Sequence, residues 1–372
     1  MNVIDLFSGV GGFSCGLEKA GYNILVANEI DEQISKSYVK NHKNTIMLNC
    51  DVSEFNAKFS KLKLNTSKID LVVGGPPCQG FSMAGARIRK NIFIEDPRNY
   101  LFKKYFDVIK KIEPNFFIIE NVVGLASMNG GAIIREIENI FNDDSNFKKG
   151  GYYIQKKIFE TDKIGVPQKR KRFIIIGSKT PFNLDEIIKR VLESHTKFST
   201  RATLSDAISD LAFMSHNKYL ENQNYLIDAT SNYQKLMRFN SETLTNHTLF
   251  NHSEIVKERI KKIKPGENWK SLPESIKSVH SGAYGRLEWN KPAMTVTTRF
   301  DTPSAGRFIH PSEHRTITVR EASRIQSFPD NYVFYGNKTS ICKQIGNAVP
   351  PYLGEFLGLI IKQINNDNKG EN

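Results

Sequence analysis

The run Ile69-Asp70-Leu71-Val72-Val73 leads directly into Gly74-Gly75-Pro76-Pro77-Cys78-Gln79-Gly80-Phe81-Ser82, and no other stretch restricts the fold as much as this junction. A short apolar run that stops at a turn signal reads as a strand buried on both faces of a parallel sheet. Two glycines end it, and two prolines then fix the backbone and withdraw two N–H donors. The segment can continue neither as helix nor as a paired strand, so it predicts a stiff loop at the carboxyl end of a strand. Open α/β sheets place their ligands at such ends. Cys78 stands directly after the prolines. A free thiol has a pKa of about 8.5, so a nucleophilic role requires help from groups elsewhere in the chain.

The rest of the first half supports such a sheet. Val3 to Phe7 reads as a strand carrying Asp5, and Ser8-Gly9-Val10-Gly11-Gly12 as a glycine turn. Phe13 to Ala20 is amphipathic and is closed by Gly21, as a helix C-terminus would be. Asn23 to Asn28 is a second strand, ending in Glu29. A glycine turn that opens a helix, with an acidic residue about 20 positions on, is a nucleotide-binding arrangement. Glycine permits close backbone approach, and the carboxylate accepts from ribose hydroxyls. The pattern here is Gly-x-Gly-Gly rather than the full dinucleotide fingerprint, and a plain strand–turn–helix corner is the alternative. Ile46 to Leu48 leads to Asp51, which either accepts from an adenine amine or caps the next helix. Leu101 to Ile112 and Ala132 to Phe141 read as helices. Phe116 to Ile119, Tyr152 to Phe159 and Phe173 to Gly177 read as strands. Six or seven strands alternating with helices imply a Rossmann-like, doubly wound, mostly parallel α/β sheet.

The alternation breaks after residue 179. Residues 180–285 are polar and irregular, which predicts a smaller inserted or appended domain. The later Gln344-Ile345-Gly346-Asn347-Ala348-Val349-Pro350-Pro351 leads into an apolar helix, Tyr352 to Ile364, with a frayed tail from Asn365. The 372 residues suffice for one large domain and a smaller one. No apolar run approaches the ~18 residues of a membrane span, and the start lacks the basic region of a signal peptide. Cys15, Cys50, Cys78 and Cys342 show no paired spacing, which fits a reduced, cytoplasmic protein without disulfides or zinc. His310 and His314 have Pro311 between them and no third ligand nearby, so no metal is expected. The net charge of +13 points to an anionic partner. The excess is densest over residues 101–180, with 15 Lys and Arg against 9 Asp and Glu, and peaks at Lys169-Arg170-Lys171-Arg172.

A thiol, a carboxyl group at a strand end (Glu120), an arginine cluster and a nucleotide pocket thus converge on one sheet edge. Either a dinucleotide oxidoreductase or a transferase with a nucleotide-like cofactor and a covalent thiol would use such groups. Hydride transfer needs no thiol held behind Pro-Pro, and the full fingerprint is missing, so the transferase is favoured.

The motifs resemble, in order and over nearly the whole chain outside about 180–285, those of the 5-cytosine-specific DNA methyltransferases of bacterial restriction–modification systems. Asp5-Leu6-Phe7-Ser8-Gly9-Val10-Gly11-Gly12-Phe13 is similar to that family's cofactor motif, and Gly74 to Ser82 to its nucleophile motif. Glu120-Asn121-Val122, the trio Gln168, Arg170 and Arg172, Arg315 to Pro329 and Gln344 to Val349 resemble the others. The resemblance implies the S-adenosylmethionine-dependent methyltransferase fold. It implies a large catalytic domain over 1–179, a target-recognition domain and hinge over 180–325, and a segment, 326–372, that returns to the large domain. It assigns Cys78 as the nucleophile at cytosine C6, Glu120 to N3 and the exocyclic amine, Arg172 to O2, and Arg170 to support of thiol and base. The implied S-adenosylmethionine contacts are Phe7, Gly9, Gly11, Gly12, Glu29, Ile30, Asp51, Val52, Leu101 and Asn347. The target carbon lies inside a duplex, so the base must flip out under a lid formed by residues 78–99. The implied partner is double-stranded DNA, acted on by a monomer, with a cognate restriction endonuclease reading the same site without direct contact. Two alternatives stand beside this reading. The tRNA-methylating branch carries a Cys-Phe-Thr signature, and no cysteine here is followed by Phe-Thr. A non-catalytic DNA-binding module would lose Cys78 or Glu120, and both are present.

Overall fold

The computed structural model describes residues 1–77, 100–211, 219–220, 224–273 and 281–370. Its first half winds back and forth across one sheet. β1 (Asn2–Leu6), α1 (Gly12–Lys19), β2 (Asn23–Glu29), α2 (Glu32–Asn41), β3 (Ile46–Asn49), α3 (Val52–Lys61) and β4 (Leu71–Gly74) alternate strictly. They are followed by α4 (Tyr100–Ile112), β5 (Phe116–Asn121), α5 (Gly124–Ser127), α6 (Ala132–Asn142), β6 (Tyr153–Glu160), β7 (Gln168–Lys169) and β8 (Lys171–Ser178). Seven strands form the sheet in the order β3-β2-β1-β4-β5-β8-β6. All pairs are parallel except those of β8, which runs antiparallel to both β5 and β6. The reversal pairs Asn121 with Phe173, so the amino end of β8 lies at the same edge as the carboxyl ends of β1, β2, β4 and β5.

Strands covered on both faces should send alternate residues into two separate cores, and these do. Val3, Leu71, Val73, Phe116, Ile118, Ile174 and Ile176 join one apolar cluster, with Phe13 and Leu17 of α1. Ile4, Val72, Phe117, Ile119, Phe173 and Ile175 join the other, with Phe55 and Phe59 of α3 and Tyr105 and Phe106 of α4. The first face is completed from the far end of the chain by α13 (Pro351–Gly370), whose Phe356, Leu357 and Ile360 are buried in that cluster. α13 and α1 meet backbone to backbone. A Cβ added at Gly16 would fall 2.2 Å from the Pro351 carbonyl oxygen, and one at Gly354 would fall 2.9 Å from that of Phe13.

Between β8 and α13 the chain carries short elements. They are α7 (Leu184–Ser194), α8 (Leu204–Ile208), β9 (Tyr219–Leu220), α9 (Asn232–Arg238), β10 (His247–Thr248), α10 (Glu254–Lys262), β11 (Ala293–Met294), α11 (Val319–Ile325) and α12 (Lys338–Asn347). β9 and β10 pair antiparallel, while β11 pairs parallel with β7. Two sequence expectations change here. Residues directly after 180 are not irregular: α7 lies against the sheet's first face, with Ile187 and Val191 in its core. Nor is the tail frayed from Asn365. α13 runs to Gly370 because Asp367 forms a two-point ion pair with Arg190 of α7, with Nη1–Oδ1 at 3.0 Å. Much of the remainder is held by buried charge. Arg324 of α11 is fully buried and donates to Asp330, with Nε–Oδ1 at 2.8 Å, and to Asp210. Arg286 donates to four backbone carbonyls, those of Ile260, Ile263, His310 and Glu313. Among the described residues, no helix is long and apolar enough to cross a membrane.

Candidate active site

The carboxyl ends of β1 to β5 open into a cavity of about 730 Å3. It brings together Phe7, Gly9, Glu29, Ile30, Asp51, Val52, Leu101 and Asn347 with Glu120 and Arg172. Gly11, Gly12 and Arg170 lie outside its lining, and Cys78 lies outside the described residues. Pro76 and Pro77, directly before it, are part of the wall.

At the β1–β2 end, the predicted spacing between Gly9 and Glu29 is realised as a hydrogen bond. The Gly9 N–H donates to Glu29 Oε2 at 3.0 Å, and the Asp31 N–H donates to Oε1 at 2.8 Å. Burial raises the Glu29 pKa despite these bonds. Phe7 takes a left-handed backbone with φ 54, a conformation that an aromatic residue holds only where its surroundings impose it. Gly11 and Gly12 serve close approach behind the cavity. A Cβ at Gly11 would fall 2.4 Å from His42 Nε2, and one at Gly12 would fall 2.2 Å from the Val349 carbonyl oxygen. Ile30 is 66% exposed, an apolar face that fits a planar heterocycle better than water. Of the two roles left open by the sequence, Asp51 takes the capping one, and it also lines the cavity. Its Oδ1 caps α3 by accepting from the Ser53 N–H at 2.8 Å. Bonds from Ser53 lower its pKa.

At the β4–β5–β8 end, Arg172 Nε lies 2.6 Å from Glu120 Oε1, with both side chains largely buried. The reversed β8 is what creates this pair, since Glu120 lies opposite Ile174 in the ladder. Gly75 leaves room for the carboxylate, as a Cβ there would fall 3.0 Å from Glu120 Oε2. Asn121 Nδ2 donates to the Pro76 carbonyl at 2.9 Å, tying the end of β5 to the Pro-Pro segment. Arg170, two residues before Arg172, is 1% exposed. Its guanidinium donates to backbone carbonyls of Val296, Gly346 and Ala348, so it supports the wall rather than facing the cavity. Burial, then the charge of Arg172, lowers its pKa.

Sequence reasoning gave no site role to Asp5, Lys343 or Gln344, which all line this cavity. Asp5 is 1% exposed. Burial pushes its carboxyl up to about 7, while Ser14 Oγ donates to it at 2.6 Å. An aspartate within an apolar strand was the available signal. Lys343 and Gln344 line the opposite wall. Gln344 Oε1 is a buried acceptor without a partner among the described residues. Gln344 opens the motif that runs to Val349, but nothing local directs it or Lys343 to this cavity, because α12 reaches it only through the tertiary fold.

A family model for C-5 cytosine-specific DNA methylases matches residues 1–364. The chain belongs to this family. It is therefore a DNA cytosine-5 methyltransferase, and its reaction requires a methyl donor. The chain is 35% identical to the type II methyltransferase M.DdeI of Desulfomicrobium norvegicum, over 96% of this chain and 87% of that one. It is 33% identical to the type II methyltransferase M1.HphI of Haemophilus parahaemolyticus, over 98% and 87%. Among solved structures it resembles a DNA modification methyltransferase encoded within an E. coli prophage. There the TM-score is 0.75 at 27% identity, covering 98% of this chain and 99% of that one. The S. pombe Dnmt2 methyltransferase, at TM-score 0.61 and 15% identity over 98% and 99%, shares the fold. The order of the seven strands with β8 reversed is thus the architecture of a methyltransferase.

Proposed function

We propose that this methyltransferase draws its methyl group from S-adenosylmethionine held in the cavity and delivers it to a flipped-out cytosine in a short DNA site. The observation that carries the reading is that one cavity joins a nucleoside-type end, Glu29 with Ile30 and Asp51, to the buried Glu120–Arg172 pair. Glu29 suits ribose hydroxyls, Asp51 an adenine amine, and Asn347 the opposite side. When bound, the cofactor supplies an electrophilic methyl carbon.

The protein's own part is to make C5 of cytosine nucleophilic. Cys78, as thiolate, adds to C6, and the electron pair of the C5–C6 bond becomes available at C5. Glu120 contacts N3 and the exocyclic amine, where charge changes during addition, and Arg172 donates to O2. Arg172, on the cavity wall, favours the thiolate electrostatically. After methylation, loss of the C5 proton and elimination of Cys78 release 5-methylcytosine. Flipping the base costs roughly a few kcal/mol. Residues 180–325 supply the base readout, anchored through α7, and 326–372 returns to the sheet to complete the cofactor wall. The enzyme works as a cytoplasmic monomer, in a restriction–modification context with an endonuclease acting on the same sequence.

Bisulfite sequencing of unmethylated plasmid incubated with the protein and S-adenosylmethionine tests this. Protected cytosines in one short recurrent context are the expected result, lost with Cys78→Ala. An unprotected plasmid, or full protection by the Cys78 variant, would overturn the reading.

A further inference from the structure

We propose that Arg170 is a positioning residue for the methyl-donor pocket: its guanidinium locks the wall that carries Asn347 to the segment directly after β11. The inference rests on the reading of the cavity as the S-adenosylmethionine site.

α12 ends at Asn347, and the last carbonyls of a helix lack intrahelical partners. Arg170 Nη2 supplies two of the missing donors at once, to Gly346 O at 3.0 Å and Ala348 O at 3.2 Å. A cation is favoured at a helix's carboxyl end, so Arg170 acts as a cap delivered from another element. A second side chain holds the carbonyl between helix body and cap, since Gln326 Nε2 donates to Ile345 O at 2.6 Å. Gln326 is held in turn by Gln168 Nε2, at 2.8 Å from its Oε1. The carbonyls of 345, 346 and 348 are therefore all fixed, and the Asn347 side chain is the exposed one on the cavity.

The other hand of Arg170 reaches the segment directly after β11. Nη1 donates to Val296 O at 3.2 Å, and the Val296 N–H donates to Gln168 Oε1 at 2.8 Å. The two segments are also pressed together directly, because a Cβ at Gly346 would fall 2.4 Å from the Thr297 carbonyl carbon. A shift of 296–298 thus has to be transmitted to 346–348. Gln168 and Arg170 form one buried clasp, while Arg172, next on the same face, pairs with Glu120. One arginine serves the pocket wall and the other the base.

Wild type and Arg170→Lys would be compared by calorimetric titration with S-adenosylmethionine in the absence of DNA, and by single-turnover methylation at saturating cofactor. Lysine keeps the charge but cannot span three carbonyls. The dissociation constant is expected to rise about tenfold or more, while the single-turnover rate at saturation stays within about threefold. An unchanged dissociation constant overturns the proposal, whether accompanied by a slower chemical step or only by a lower melting temperature. Should Arg170→Lys fail to fold, Gln326→Met decides, with weaker cofactor binding expected and unchanged binding overturning the proposal. A wild type that binds no S-adenosylmethionine would instead overturn the assignment of the cavity itself.

Discussion

Glu120 and Arg172 approach to 2.6 Å at the edge of a cavity, and each limits what the other can do. On the proposed reading, the guanidinium next to the carboxylate keeps an oriented pair where the base is held. Arg172→Ala is expected to lower single-turnover methylation by about 10²–10³-fold, the usual effect of losing one donor to developing charge. Rapid-quench assays would check this, and a loss below tenfold would remove Arg172 from the chemistry. Asp5 gives a pH signature. Burial raises its carboxyl to about 7, above the ordinary carboxylate range. A raised folded-state pKa contributes stability that is present in full below the unfolded pKa and is lost as pH rises through the folded value. Asp5→Asn should therefore remove a decline of a few kcal/mol between about pH 4 and pH 7. Thermal melts of both proteins across that range would show it as a difference curve. A flat difference would mean that Asp5 is not held as a neutral acid.

Among the elements, α1 and α13 show how the far end of the chain is built against the glycine turn after β1. α1 begins at Gly12, directly after the glycine turn, and Gly16 lies against the Pro351 carbonyl and the Glu355 N–H. Gly16→Ala must push the helices apart, so a loss of about 1–3 kcal/mol is expected from urea unfolding, with weaker cofactor binding because Val349 retreats from Gly12. Unchanged stability would show that the contact has slack. The sheet itself was legible because its signals are local: apolar runs, glycine turns and a spacing from Gly9 to Glu29 that reappears as a hydrogen bond. The helical tail was not, since Asp367 finds Arg190 across 177 positions. The middle of the chain resisted reading for a different reason. It is organised around buried Arg324 and Arg286 and their acceptors, so apolar periodicity has little to follow there. The sequence marked Arg170 and Arg172 as one basic cluster, but not the carbonyls of 346 and 348 that separate their roles.

For the molecule as a whole, the excess of positive charge and the position of the cavity have to agree on where DNA lies. On the proposed reading, in which Glu120 takes the flipped cytosine, the duplex passes over the edge where β8 begins. Arg170 and Arg172 point inward from that edge, and the alternation of a strand sends Lys169 and Lys171 outward. Lys171 shares Glu160 with Lys163, at 3.4 and 3.3 Å. Lys169 makes no ion pair with any described residue, and its carbonyl is anchored by Thr295 Oγ1 at 2.8 Å, so its backbone is fixed while its ammonium is available. Such a cation suits a phosphate, which positions the duplex without reading sequence. Lys169→Ala is therefore expected to weaken binding to cognate and unrelated duplexes by similar factors. It should also reduce the slope of log K against log salt by about one. Fluorescence titrations at several salt concentrations on both duplexes measure this, with cofactor affinity unchanged as the control. A variant that shifts preference between sequences while keeping its salt slope would place Lys169 on a base, and the duplex would then have to cross this edge deeper in a groove than a phosphate contact requires.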